Sequence, residues 1–140
     1  MIRLSVLKWV PPFARGSVKE FRVRWALEEA GLAYEERVLA PEDQDAAADR
    51  AVQPFGQVPV LEEDGFAMFE SGAIVLRIAE KSDALMPADE KGRARTMQWV
   101  FAALTSVQPA RRNSCSGGSG SFRAGSKAAS GWKTASPRAT

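Results

Sequence analysis

Two short segments of this 140-residue chain carry residue types from which an anion-binding pocket can be built. Gln57-Val58-Pro59 leads into an apolar run, and Glu70-Ser71 leads into apolar residues at helical spacing. A serine at the start of a helix places a hydroxyl beside free backbone N–H groups, where the helix N-terminus favours a carboxylate. Glu70 can accept from an ammonium group. The pair therefore suits the end of an amino acid or of a γ-linked peptide.

The backbone at Val58-Pro59 can contribute to the same pocket. Pro59 stands at the predicted start of a strand, where its missing N–H is tolerated. If the bond is cis, the N–H and C=O of Val58 turn outward and can pair with an extended peptide. Only about 5–6% of X-Pro bonds in folded proteins are cis, so the dipeptide by itself favours trans. Ser71 also has a simpler role open to it, which is to cap its helix.

The composition excludes several other kinds of site. The chain has no histidine, and its only cysteine is Cys115. These counts exclude a histidine general base, a Cys-x-x-Cys redox pair, an internal disulfide and the usual zinc sites, so no metal site is predicted. No apolar run approaches the ~18 residues of a membrane span, and Arg3 and Lys8 interrupt the N-terminal apolar residues, unlike a signal peptide. We expect a cytoplasmic protein.

Charge divides the chain into a body and a tail. All 17 acidic residues lie within residues 1–109, whereas residues 110–140 carry 6 Lys and Arg and no acid. The tail is rich in Ser, Gly and Ala without periodicity, so we expect it to be disordered and solvated, with no nucleic-acid surface. Its composition differs so much from the body that we interpret it as a frame-shifted or mispredicted end.

Apolar spacing predicts an α/β fold in the order β-α-β-α-β-β-α, with one further helix. The predicted strands are the apolar run from Ile2 to Leu7 and residues 34–39, 58–61 and 66–69. The predicted helices are residues 17–30, 42–52, 71–81 and 90–107. Ser17 followed by Glu20 has the pattern of a capping box at the first helix. The first half should form a parallel crossover and the second a hairpin plus helix.

Three motifs together resemble the N-terminal, thioredoxin-like domain of the glutathione S-transferase superfamily. They are Gln57-Val58-Pro59, Glu70-Ser71-Gly72-Ala73-Ile74 and the segment from Arg22 to Gly31. The resemblance covers about residues 1–109. It implies a thioredoxin-like βαβ-α-ββα domain over residues 1–82 that binds glutathione. It also implies a linker and the first helix of an incomplete all-helical domain over residues 83–109, before the tail. Complete members continue into that helical domain, so the chain is expected to be truncated.

The resemblance implies roles for individual residues. The residue before the cis-proline Pro59 pairs with the cysteinyl backbone of glutathione, and here that residue is Val58. Glu70 and Ser71 would hold the γ-glutamyl end, and Gln57 would lie near the bound tripeptide. Glutathione would be the cosubstrate and a hydrophobic electrophile of unknown identity the second substrate. A homodimer is usual in the family.

Ser17 occupies about the place where the serine and cysteine classes of the family carry their thiol-activating residue. A hydroxyl there could donate to the glutathione thiolate and lower the pKa of its thiol. Ser17 is also well suited to be a plain helix cap. The resemblance therefore implies a protein that binds glutathione and, if active, conjugates its thiolate to an electrophile. A non-catalytic thioredoxin-fold binding module and an inactive truncated product remain open as alternatives.

Overall fold

The computed structural model describes residues 1–12 and 18–108. Within these residues four strands form a single sheet, and four helices accompany it. The strands are β1 (Ile2–Leu7), β2 (Tyr34–Leu39), β3 (Val60–Glu63) and β4 (Phe66–Phe69). The helices are α1 (Glu20–Glu29), α2 (Ala47–Val52), α3 (Ser71–Ala79) and α4 (Glu90–Ala102). Ser17 and the tail of residues 110–140 lie outside the described part of the chain.

The sheet is mixed and has the strand order β2-β1-β3-β4. β1 pairs with β2 in parallel, as the intervening helix α1 requires of a crossover. β3 is antiparallel to both β1 and β4, and a two-residue turn at Asp64 and Gly65 joins β3 to β4. The predicted α/β class, with its parallel crossover followed by a hairpin and a helix, is therefore confirmed.

The hydrophobic core lies between the sheet and the helices α1 and α3. Alternate residues of β1 point into it, and both helices bury one apolar face against them. The side chains with almost no exposed surface are Leu4 and Val6 of β1, Val23 and Leu27 of α1, and Ile74 and Ile78 of α3. This packing fixes where both helices begin relative to the end of β1.

Several predicted boundaries differ from the observed ones. α1 begins at Glu20 instead of residue 17, and Lys19 holds the N-cap position without a side-chain cap. β3 begins two residues late, at Val60, because Pro59 has no N–H to give to the ladder. The predicted helix 42–52 is a 3₁₀ turn followed by α2, since Ala46 between them is extended. α3 ends at Ala79 instead of residue 81.

The last helix is irregular at its end. α4 is followed by a π-helical turn at Ala103–Val107 in place of the single predicted helix. The Leu104 side chain occupies the space that a β-carbon on Gly72 of α3 would need. The end of this helical segment, with Val100 of α4 and Leu104 of the π-helical turn, therefore packs closely against Gly72 of α3. None of the helices in the described residues is long and apolar enough to cross a membrane.

A buried carboxylate joins α1 to the end of β1. Glu20 is 3% exposed, and its Oε2 accepts the backbone N–H of Leu7 at 3.4 Å. Its Oε1 lies 3.5 Å from the Arg24 guanidinium, which also reaches Glu36 of β2 at 3.2 Å. Burial raises the pKa of the Glu20 carboxyl, and the Leu7 N–H and Arg24 offset this only in part.

This pKa shift predicts a pH-dependent stability difference between Glu20→Gln and the unmodified protein. The folded protein holds the Glu20 proton more tightly than the unfolded chain does. Its contribution to the free energy of unfolding is therefore largest below the ordinary pKa of 4.5 and falls as pH rises through the raised value. Glutamine does not titrate, so the stability of Glu20→Gln does not have this pH dependence. Urea unfolding from pH 4 to pH 8 should show the variant gaining stability relative to the parent as pH rises.

The exposed Glu35 of β2 offers the matched control, because Glu35→Gln removes a carboxylate that the fold does not bury. Its stability should follow that of the parent across the same pH range. A Glu20→Gln difference that stays constant with pH, or that moves against the variant as pH rises, would contradict the account of the buried carboxyl.

Candidate functional site

The pairing of β3 with β4 brings the two predicted motifs together. Val60 lies opposite Phe69 in the antiparallel register. The residues just before Val60 and just after Phe69 therefore lie at the same end of the hairpin. Gln57, Val58 and Pro59 precede the first strand, and Glu70 and Ser71 follow the second. Five of the six predicted site residues are thus gathered at one end of the sheet.

A side-chain clamp holds the loop that enters β3. Arg50 of α2 donates to the backbone carbonyl of Pro54 at 2.7 Å. Gln53, which is 5% exposed, accepts the N–H of Phe55 at 2.9 Å. Gly56 has φ +60, and a β-carbon there would come 2.9 Å from the Arg50 guanidinium carbon. Contacts from Arg50 and Gln53 therefore hold the backbone that leads to Val58.

Val58 and Pro59 form the floor of this end of the hairpin. The peptide bond between them is cis. Val58 is 8% exposed and Pro59 is also buried. Within residues 1–12 and 18–108, neither the N–H nor the C=O of Val58 enters a hydrogen bond. Buried backbone groups are normally paired, so these two groups suit an external partner. Neighbouring Gln57 is exposed, and its Oε1 accepts from Lys19 Nζ at 3.3 Å.

Glu70 makes the sharp change of direction from β4 into α3. It has φ 69 and ψ 105, one of two positive φ values among the described non-glycine residues. Its carbonyl accepts the Ile74 N–H at 2.9 Å, so Glu70 is the N-cap residue, although its side chain makes no cap. Its exposed carboxylate forms no ion pair with a described residue. The alternative role of Ser71 as the side-chain cap of α3 is not observed, because Glu70 holds the N-cap position and Ser71 is the first helical residue.

Ser71 is the first residue of α3 and is 2% exposed. Its hydroxyl oxygen accepts from Arg22 Nη1 of α1 at 3.4 Å, and Arg22 Nη2 donates to Gln108 Oε1 at 3.2 Å. In the sequence, Arg22 stood only as part of a motif and was not predicted to belong to the site. The contact between Arg22 and Ser71 joins residues 49 positions apart in the chain. The only sign of it in the sequence was that Arg22 stands beside Val23, which is buried on the same helix.

The arrangement can bind an extended peptide with an amino-acid end. It offers backbone groups at Val58 and a carboxylate at Glu70 that have no partner among the described residues. It also offers the hydroxyl of Ser71 and the backbone N–H groups at the start of α3. Ser17, the sixth predicted residue, lies outside the described part. Lys19 and Arg22 of the following segment contact Gln57 and Ser71, so the start of α1 adjoins both halves of the site.

Comparisons with known proteins agree with this geometry. The family model described as "Glutathione S-transferase, N-terminal domain" matches residues 14–86. Glutathione S-transferase hmp2 of Hypomyces subiculosus is 42% identical over 65 residues, which are 45% of this chain and 31% of the relative. Glutathione S-transferase A of Cavia porcellus is 40% identical over 60 residues, which are 42% and 28% of the two chains.

Solved structures extend the similarity to about four fifths of the chain. The theta class glutathione S-transferase of Xanthomonas axonopodis pv. citri, solved with glutathione bound, superposes with a TM-score of 0.67 at 28% identity. Glutathione transferase F7 of Populus trichocarpa gives 0.64 at 28% identity. The alignments cover 80% and 79% of this chain, and each covers 52% of the solved chain.

The chain thus spans about a third of the curated relatives and about half of these solved chains. The family model nevertheless covers more than half of it, including β2, β3, β4, α3 and both site motifs. With its thioredoxin-like sheet and the hairpin end described above, the chain belongs to the glutathione S-transferase family, of which it carries the N-terminal domain.

Proposed function

We propose that this chain binds glutathione at the end of the β3–β4 hairpin. The backbone of Val58 would pair with the cysteinyl residue, as an added strand pairs with an edge. Ser71 and Glu70 would hold the γ-glutamyl end, with Pro59 shaping the floor and Gln57 beside the tripeptide. The observation that carries the proposal is the register of Val60 opposite Phe69, because it brings the two motifs to the same end of the hairpin.

The proposed reaction is conjugation of glutathione to an electrophile. The thiol releases its proton to solvent, the thiolate attacks an electrophilic carbon, and a carbon–sulfur bond forms as the leaving group departs with its electron pair. Ser17 would donate a hydrogen bond to the thiolate and so favour the charged form. Its place in the sequence supports this role, because Lys19, two residues later, contacts Gln57.

We also propose where the protein acts, where its glutathione-binding domain ends and how the chains assemble. We place it in the cytoplasm, where glutathione is the main thiol pool. We also propose a boundary of the glutathione-binding domain near residue 82, with α4 as the start of a helical domain, and a homodimer as the assembled form. The electrophile is proposed only as a class, a hydrophobic molecule with a reactive carbon.

Ser71→Ala should weaken glutathione binding. The variant removes a hydroxyl that is 2% exposed at the proposed γ-glutamyl subsite. Loss of one hydrogen bond to a charged group costs about 1.5–3 kcal/mol, so the Kd should rise by about tenfold or more. Isothermal titration calorimetry of the full chain with glutathione measures this. Ser82→Ala, in the turn after α3, should leave the Kd unchanged. The absence of saturable binding to the folded parent protein would refute the proposal.

Ser17→Ala separates a transferase from a binding module. If Ser17 activates the thiol, turnover of glutathione with an activated chloronitrobenzene should fall by about tenfold or more, because a hydrogen bond to the thiolate is lost. The Kd for glutathione should change by less than about threefold, since the hydroxyl would not contact the γ-glutamyl end. A spectrophotometric conjugation assay and calorimetry on the same samples test this. Unchanged turnover would exclude Ser17 as the activating residue.

A further inference from the structure

Arg22 places a positive charge against the proposed γ-glutamyl subsite. The residue is half-buried on α1, and its two terminal nitrogens donate to Ser71 Oγ and Gln108 Oε1, both neutral acceptors. Both bonds are long, at 3.4 and 3.2 Å. The guanidinium has five N–H donors in a fixed planar fork, and these contacts use only part of that capacity.

No carboxylate side chain of the protein neutralises this charge. Every Asp and Glu lies among the described residues 1–12 and 18–108, and none comes within 4.0 Å of Arg22. The neighbouring Arg24 on the same helix differs, because it is paired with both Glu20 and Glu36. A half-buried cation with only neutral partners is costly, and charge-assisted bonds to a carboxylate would offset that cost.

Glu70 supplies the opposite charge on the same short segment. Its backbone turn leads directly into Ser71, and its exposed carboxylate forms no ion pair with a described residue. Arg22 contacts Ser71 from α1, whereas Glu70 precedes it in the chain. A cation and an anion that form no ion pair with any described residue thus adjoin one buried serine. The cation matches a carboxylate, and the anion matches an ammonium group on the same carbon atom.

We propose that Arg22 is a ligand for the α-carboxylate of the γ-glutamyl residue, with Glu70 accepting from the α-ammonium group. This assignment rests on the proposed function and extends it with a residue outside the two motifs. Arg22 would then set the specificity for a zwitterionic amino-acid end over a simple acyl end. Arg22 also bonds to Gln108, the residue after the π-helical turn. This contact would hold the guanidinium in the orientation that binds the carboxylate.

The test compares glutathione with two analogues, each of which lacks one charged group. γ-Aminobutyryl-cysteinyl-glycine lacks only the α-carboxylate, and glutaryl-cysteinyl-glycine lacks only the α-amine. Calorimetry with the full chain should show the parent binding each analogue about tenfold or more weakly than glutathione, because a charge-assisted bond is lost in each case. Arg22→Gln should prefer glutathione over the aminobutyryl analogue by a factor about tenfold smaller than the parent does, because one charge-assisted bond is lost while the Ser71 hydroxyl remains. The variant should keep its preference over the glutaryl analogue.

Matched variants complete the design. Arg95→Gln changes an exposed arginine of α4 and should keep both preferences of the parent. Glu70→Gln should lose the preference over the glutaryl analogue and keep the other. If Arg22→Gln proves unfolded by circular dichroism, Arg22→Lys takes its place. The preference over the aminobutyryl analogue should then be about threefold smaller than that of the parent, because lysine lacks the bidentate fork.

The outcomes distinguish a failure of the Arg22 assignment from a failure of the proposed glutathione binding. An Arg22 variant that discriminates against the aminobutyryl analogue as strongly as the parent does would overturn the assignment of Arg22 alone. A parent protein that binds glutathione and this analogue equally would do the same without any variant. A folded parent that binds none of the three peptides would refute glutathione binding itself, and the Arg22 assignment with it.

Discussion

The antiparallel register of β3 and β4 is the constraint on which the rest of the site depends. Val60 opposite Phe69 makes the cis Val58-Pro59 segment and the start of α3 neighbours, although 10 or more residues separate them in the chain. A slip of one residue would turn Leu61 out of the core, where it is 2% exposed, and would turn Glu62 in. The hydrophobic core therefore fixes the geometry of the polar site.

Helix α1 is the element that joins the site to this framework. Its buried face, with Val23 and Leu27, packs against the sheet, and Glu20 ties its first turn to the end of β1. On the other side, Lys19 reaches the β3 loop and Arg22 reaches the start of α3. One helix thus contacts both halves of the hairpin end. A change in its position would alter both subsites together.

The sequence predicted most elements because their signals are local. β2 and β4 have the expected limits. Each contains residues that favour strands, Tyr34 and Val38 in β2 and two phenylalanines in β4, and each follows a glycine with positive φ, Gly31 or Gly65. The predicted start of β3 was wrong because Pro59 has no N–H for the ladder. The predicted helix 42–52 was wrong because the extended backbone of Ala46 divides it. Helix α4 was predicted, but its π-helical end was not. Leu104 of this turn packs against Gly72 of α3, and no local pattern encodes such a contact.

The site likewise contains residues that local sequence patterns predict and one residue that they do not. Gln57, Val58, Pro59, Glu70 and Ser71 stand in two contiguous motifs, so local patterns in the sequence are enough to single them out. Arg22 could not be found in this way, because its importance comes from a contact between residues far apart in the chain. Arginines 22 and 24 are two positions apart on one helix, yet only Arg24 is paired with carboxylates. Tertiary placement alone distinguishes them.

The most direct test of the central claim is a backbone amide NMR titration of the ¹⁵N-labelled full chain with glutathione. We expect saturable shifts concentrated at Val58 and at the first residues of α3, including Ser71 and Gly72, with smaller shifts near Arg22. The opposite end of the hairpin, around Glu63 and Gly65, should not respond. Saturable shifts centred on that opposite end, or the absence of any shift at Val58 and Ser71 at saturating glutathione, would contradict the account.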